Sequence, residues 1–153
     1  MTEERSPADV IATLERTLDQ LPRLAVGLRQ AGAGGGEGWS AAQVLDHMAE
    51  FEVVAGARLR AVLTEDSPPL ATFGQEAFAA RFAEAVPATA ALELFAVNRR
   101  ANLRLLRACT EADWGRTGVH PRRGPEPLSK TAAMIAAHDE GHLRQLREAL
   151  GER

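Results

Sequence analysis

The sequence predicts an all-α domain, a four-helix bundle occupying residues 1–153 as one unit. Three observations carry that expectation. Alanine, leucine and arginine dominate a chain with 5% aromatic residues and no tyrosine, a composition rich in strong helix formers. Four stretches of roughly 20 residues place apolar side chains at three- and four-residue spacing. Segments dense in Gly or Pro separate them, so each apolar stripe is buried most economically against the other three.

The elements follow in order. Ser6-Pro7 with Asp9 reads as an N-cap, a proline in the first turn and an early acid, opening a helix that extends to about Gln30. Val10, Ile11, Leu14, Leu18, Leu21, Ala25 and Leu28 form its stripe, and Pro22 within it predicts a kink or break near Gln20. AGAGGGEG ends the helix. Its glycines Gly32, Gly34, Gly35, Gly36 and Gly38 satisfy neither GxGxxG nor a loop closed by Gly-Lys-Ser/Thr, so the segment reads as a flexible connection rather than a phosphate cradle.

Ser40 caps the second helix and Gln43 completes a capping box. This helix runs to about Thr64 on Val44, Phe51, Ala55, Leu59 and Val62, and Ser67-Pro68-Pro69 stops it. Residues Phe73 to Val86 read as a crossover holding a short helix. A third long helix spans about Ala88 to Thr110, with Leu92, Phe95, Leu103 and Leu106 inward. TGVHPRRGPEPL is expected to be loop, and Ser129 to cap a last helix reaching about Leu150. No repeat of solenoid period is present.

Net charge is −3, with arginines interleaved among acids, which argues against a nucleic-acid platform. One cysteine, Cys109, excludes an intrachain disulfide framework. MTEERSPADV lacks the apolar core of a secretory signal, and no apolar run approaches the roughly 20 residues of a membrane span. The expectation is a cytoplasmic protein whose partner is a small molecule, neither nucleic acid nor membrane.

The chemistry concentrates in HDEGH, residues 138 to 142. At 100° per residue His138 and His142 are about 40° apart, within the stripe of Ile135 and Leu146, while Glu140, Arg144 and Arg147 face solvent. The same arithmetic puts His47 within about 60° of Val44, Phe51 and Val54. Three of the four histidines are thus expected in one core. A lone buried His is ordinarily a hydrogen-bonded core residue, whereas three convergent imidazoles fit zinc, nickel or ferrous iron with a position left open.

Two competing metal motifs fail on spacing. HExxH needs Glu directly after the first His, and here Asp139 stands there; a carboxylate-bridged di-iron bundle needs more than Glu50 three residues after His47. Glu50 and Asp139 are the nearby carboxylates that a general base would draw on. Gln145, about 20° from His138, and Arg99, amid Leu92, Phe95, Leu103 and Leu106, are candidates to orient a ligand or a metal-binding group. Arg99 has the alternative of snorkelling out at a helix seam. His120 either approaches the site from its loop or begins a His-Pro turn, and Cys109 reads as a small apolar residue.

WSAAQVLDHMAE at residues 39–50, and VHPRRGPEPLS leading to AAHDEGHLRQL, resemble the signatures of the DinB-like (DinB/YfiT) superfamily of bacterial four-helix-bundle proteins. The resemblance covers nearly the whole chain. It implies the up-down-down-up helix order with a short extra helix between the second and third long helices, a metal site of His47, His138 and His142 holding zinc, nickel or iron, and a homodimer. It also implies use of a low-molecular-weight thiol such as bacillithiol or mycothiol, although no thiol-binding motif can be placed on this sequence. Three functions follow as expectations: a metal-dependent thiol S-transferase, a metal-activated hydrolase, or a non-catalytic dimeric module binding metal or small ligand.

Overall fold

A computed structural model of the chain describes residues 5–31, 38–83 and 86–152. The glycine-rich connection at 32–37 lies outside the described residues. The elements are α1 (Pro7–Ala31), α2 (Ala41–Thr64), α3 (Gln75–Phe82), α4 (Ala88–Ala108), α5 (Glu111–Trp114), β1 (Thr117–His120), β2 (Gly124–Pro127) and α6 (Leu128–Ala149). The four long helices form the expected bundle.

Two apolar clusters fix the direction of each helix. One gathers Val10 and Leu14 from the start of α1, Leu59 and Val62 from the end of α2, Leu103 and Leu106 from the end of α4, and Leu128 and Ala132 from the start of α6. The other gathers Leu24 and Leu28 from the end of α1, Val44 and Met48 from the start of α2, Ala91 and Phe95 from the start of α4, and Leu143 and Leu146 from the end of α6. α1 and α6 therefore run one way and α2 and α4 the other, which is the up-down-down-up order. Because α2 and α4 are parallel neighbours, the chain needs a long return between them, and the crossover carrying α3 supplies it. α2 and α4 approach closely at Gly56, where a Cβ would lie 2.7 Å from Asn102 Oδ1.

Local chemistry explains the helix starts. Gln43 N donates to Ser40 Oγ at 3.1 Å and Ser40 N to Gln43 Oε1 at 2.8 Å, so the expected capping box is present. Pro22 does not break α1, which continues as one helix. Leu21, Leu24, Ala25 and Leu28 are buried on either side of it, so packing of that face outweighs the one backbone hydrogen bond a proline removes.

Three expectations are corrected between α4 and α6. α4 ends at Ala108, and Thr110 instead caps the short α5, accepting from Asp113 N at 3.3 Å. The stretch expected to be loop forms an antiparallel hairpin, with Thr117 opposite Pro127 and His120 opposite Gly124. Its Pro and Gly content gives no strand signal. The hairpin is held from outside: Leu70 N donates to Val119 O at 2.9 Å and Val119 N to Pro68 O at 2.8 Å. Gly118 permits that contact, since a Cβ there would sit 2.4 Å from Leu70 Cδ2. α6 then begins at Leu128 with Pro127, not Ser129, at the cap.

Between the apolar clusters lies a buried polar layer. The guanidinium of Arg99 donates twice to Glu52, at 2.8 and 2.7 Å, once to Asp139 at 2.7 Å and once to Leu14 O at 3.1 Å. Asn102 Nδ2 adds a 2.8 Å bond to Glu52. All four polar side chains are buried, so this layer registers α1, α2, α4 and α6 at mid-height.

Candidate metal centre

α2 packs extensively on α4 and less so on α6, and the seam between α2 and α6 is where the histidines meet. His47 comes from the second turn of α2, and His138 and His142 from successive turns of α6. One ring nitrogen from each lies within 4.8 Å of the others. His47 Nε2 and His138 Nε2 are 2.7 Å apart, a hydrogen-bonding contact in which one ring carries the proton. Nitrogens on one tetrahedral ion stand about 3.3 Å apart when each bond is about 2.0 Å. The His47–His138 pair would open by about half an ångström, and His142, whose donor lies within 4.8 Å of the other two, would close on them, to share an ion.

The surroundings favour neutral donors. Burial pushes the His47 pKa down to about 3, with His138 and His142 beside it adding to the shift. Burial, followed by the nearby His138, also lowers that of His142. Gln145 Oε1 lies 3.0 Å from His142 Nδ1, so this nitrogen donates and Nε2 keeps its lone pair free. Phe51 stacks on His138 with ring centres 3.8 Å apart and planes 18° from parallel, while Trp39 closes on His47 at 4.6 Å. His138 Nδ1 is buried without a hydrogen-bond partner among the described residues; Asp139 Oδ1, at 3.8 Å, is too distant. This donor set, three imidazoles with no carboxylate among them, fits a borderline-soft divalent ion.

The other candidates fall at different distances from the cluster. Gln145 touches it through His142. Arg99 does not reach it and does not snorkel out: it is wholly buried and tied to Glu52 and Asp139. Burial alone would raise the Asp139 pKa, but Arg99, with His138 beside it, outweighs burial and holds this carboxyl below its ordinary range. Glu50 is half-buried on α2 and is not one of the cluster donors. Burial raises its pKa, as does the charge of Asp46. Asp46 itself is buried, with both carboxylate oxygens unpartnered among the described residues. His120 makes the turn, its Nδ1 accepting from Arg122 N at 3.1 Å and Arg123 N at 3.3 Å.

A groove of about 1000 Å³ leads away from the cluster, and the sequence reading did not contain it. Its lining includes His138 and Phe51, the polar side chains Arg58, His120, Arg123 and Glu126, and the start of α3. One signal was available. Arg58 follows His47 by eleven residues, about 20° around the helix, so both project from one face of α2. The hairpin that brings His120 and Arg123 there had none, because its strands depend on contacts with Pro68 and Leu70.

Comparison with known proteins agrees with this fold. The sequence pattern of the DinB superfamily matches residues 8–146. A protein of Oceanobacillus iheyensis, named provisionally as a metal-dependent hydrolase, is 28% identical over 109 residues, covering 71% of this chain and 63% of its own. A protein of Geobacillus kaustophilus with the same provisional name is 34% identical over 113 residues, covering 71% of this chain and 62% of its own. The matched region thus spans somewhat under two thirds of these relatives. Among solved structures, YfiT from Bacillus subtilis, described provisionally as a metal-dependent hydrolase with an unusual four-helix bundle topology, superposes with a TM-score of 0.84. It is 19% identical and the alignment covers 100% of this chain and 92% of that one, a likeness of fold.

Proposed function

This chain belongs to the DinB superfamily, and from that premise we propose that it is a divalent-metal-dependent hydrolase acting on a small molecule held in the groove beside His138. One observation carries the reading: three imidazole nitrogens lie within 4.8 Å of one another, and one of those rings, His138, lines a groove of about 1000 Å³. The names of the relatives support it.

His47, His138 and His142 would hold zinc, nickel or iron. Such an ion supplies Lewis-acid chemistry, lowering the pKa of a small nucleophile placed on it, to about 7 for water on zinc. Everything else is assigned to side chains of this chain. Gln145 holds the His142 ring with its Nε2 lone pair toward the cluster. Arg99 keeps Asp139 ionised one residue from His138, placing a fixed negative charge behind that ligand. Phe51 and Trp39 pack against the imidazoles and limit water on their flanks.

A second reading, transfer of a low-molecular-weight thiol such as bacillithiol or mycothiol, is favoured by a specific observation. The carboxylate adjoining the ligands, Asp139, is committed to Arg99, and Glu126 in the groove is committed to Arg123 and Thr131. Neither is free to deprotonate a nucleophile, so one that the ion itself can hold ionised is favoured, and a thiol, whose free pKa is already only about 8.5, is of that kind. The test is turnover of a panel of carboxylic and phosphoric esters, and of monochlorobimane, by protein loaded separately with each metal, with and without added thiol. Metal-dependent, thiol-independent ester cleavage that is lost in His142→Ala supports the hydrolase. Turnover only with thiol replaces it by the transferase, and tight metal binding without turnover leaves a binding module.

A further inference from the structure

We propose that Arg58 and His120 form an oxyanion receptor in the groove, so that the protein's ligand carries a compact anionic group, a carboxylate or a phosphate, one aromatic ring away from the histidine cluster. The proposal deepens the reading above by naming the substrate class and rests on it only for the word substrate.

Arg58 is the central observation. The residue is 8% exposed, and the carboxylate whose charge reaches it, Glu126, forms its ion pair with Arg123 instead. The one hydrogen bond of the Arg58 side chain among the described residues runs from Nε to Ala71 O at 2.7 Å, which fixes the plane of the guanidinium and leaves both terminal nitrogens uncommitted. A guanidinium stays protonated in any protein environment, so burial without an anion is costly and a bound oxyanion relieves it. The paired nitrogen fork matches two oxygens of a carboxylate or phosphate.

The neighbours sharpen the argument. Arg123 also lines the groove, but it is paired with Glu126 at 2.9 and 3.0 Å, and Thr131 holds the same carboxylate at 3.2 Å. That carboxylate is hydrogen-bonded to Arg123 and not to Arg58, and at Arg58 the repulsion of Arg123 exceeds the attraction of Glu126. His120 contributes a donor. Two backbone N–H groups point at its Nδ1, so the ring proton resides on Nε2, and the ring lines the groove. The distance relation to the metal centre runs through Phe51: its ring centre lies 5.7 Å from the Arg58 guanidinium carbon and 3.8 Å from the centre of the His138 ring. A ligand anchored by its anionic end on Arg58 would cross Phe51 and present its other end to the histidines.

Calorimetric titration of the metal-free 153-residue chain with inorganic phosphate, and separately with succinate, tests this at low ionic strength. The parent is expected to bind one or both saturably, the tighter of the two naming the anion. Arg58→Met should weaken that binding at least about tenfold, the scale of losing charged hydrogen bonds. Arg58→Lys, which keeps the charge and loses the fork, should fall between. Arg100→Gln, removing an exposed arginine of α4 outside the groove, should leave it unchanged. Should Arg58→Met fail to fold by thermal unfolding, Arg58→Lys decides. No saturable binding of either anion by the parent, or equal binding by parent and folded Arg58 variants, overturns the proposal. Because no metal is present, this result is independent of whether the loaded protein hydrolyses anything.

Discussion

Arg99 Nη1 donates a 2.7 Å hydrogen bond to Oδ2 of Asp139, the residue that immediately follows His138. The buried ion pair at mid-bundle and the histidine cluster are thus consecutive on α6. His138 faces the seam with α2, and Asp139, one residue on, binds the cation from α4. The layer that registers the helices also sets the position of a metal-ligand candidate.

Removing the cation tests the layer. Arg99→Met leaves Glu52 and Asp139 buried without a counter-charge, and chemical denaturation should show a loss of about 3–5 kcal/mol. Arg99→Lys should recover only part of it, because one ammonium cannot reproduce the four hydrogen bonds of the guanidinium. A folded Arg99→Met protein of parental stability would show that the layer is not what holds the helices in register.

Gln145→Ala should act on the metal and little on the fold. Its side chain is half-buried and its recorded hydrogen bond is to His142 Nδ1. Loss of that partner should lower metal affinity about 10–100-fold in a chelator competition, with the denaturation midpoint of the metal-free protein nearly unchanged.

Acidification supplies a third prediction. His47 is neutral in the folded chain down to about pH 3, whereas its unfolded form takes up a proton near pH 6.5. Between those values the unfolded state binds more protons, so stability falls as pH drops, and the depressed pKa of His142 acts in the same direction. Urea midpoints of the metal-free protein should be flat above about pH 7 and decline from about pH 6.5 to 5, less steeply in His47→Gln. A midpoint constant across that interval would contradict neutral burial of His47.

Gly56→Ala probes the close approach of α2 and α4. The added Cβ would sit 2.7 Å from Asn102 Oδ1, an atom that already accepts from Arg60 Nη1 at 3.0 Å while Nδ2 of the same amide serves Glu52. The helices must part or the amide must give up its bonds, costing about 1–3 kcal/mol. Thermal unfolding measures it.

The bundle was legible because its signals are local: apolar spacing along α1, α2, α4 and α6, and the Ser40–Gln43 capping box. The histidine cluster was legible for the same reason, His47 and the His138/His142 pair lying on faces that helical arithmetic alone turns inward. Pro22 does not break its helix because the apolar face that surrounds it outweighs the backbone rule. Arg99 was expected to orient a ligand or snorkel, since its partners Glu52 and Asp139 lie 47 and 40 residues away and no periodicity connects them. The hairpin, and with it most of the groove, depends on long-range backbone pairing to Pro68 and Leu70 that four-residue strands rich in Pro and Gly do not announce.

The proposed metal-dependent chemistry requires His47, His138 and His142 to hold one divalent ion. Elemental analysis of untagged protein purified without chelator, beside His138→Ala and His142→Ala, tests it most directly. The parent should carry close to one equivalent of zinc, nickel or iron, and both variants should lose it. A parent that stays empty after soaking with each metal, or variants that retain the parental content, would contradict it.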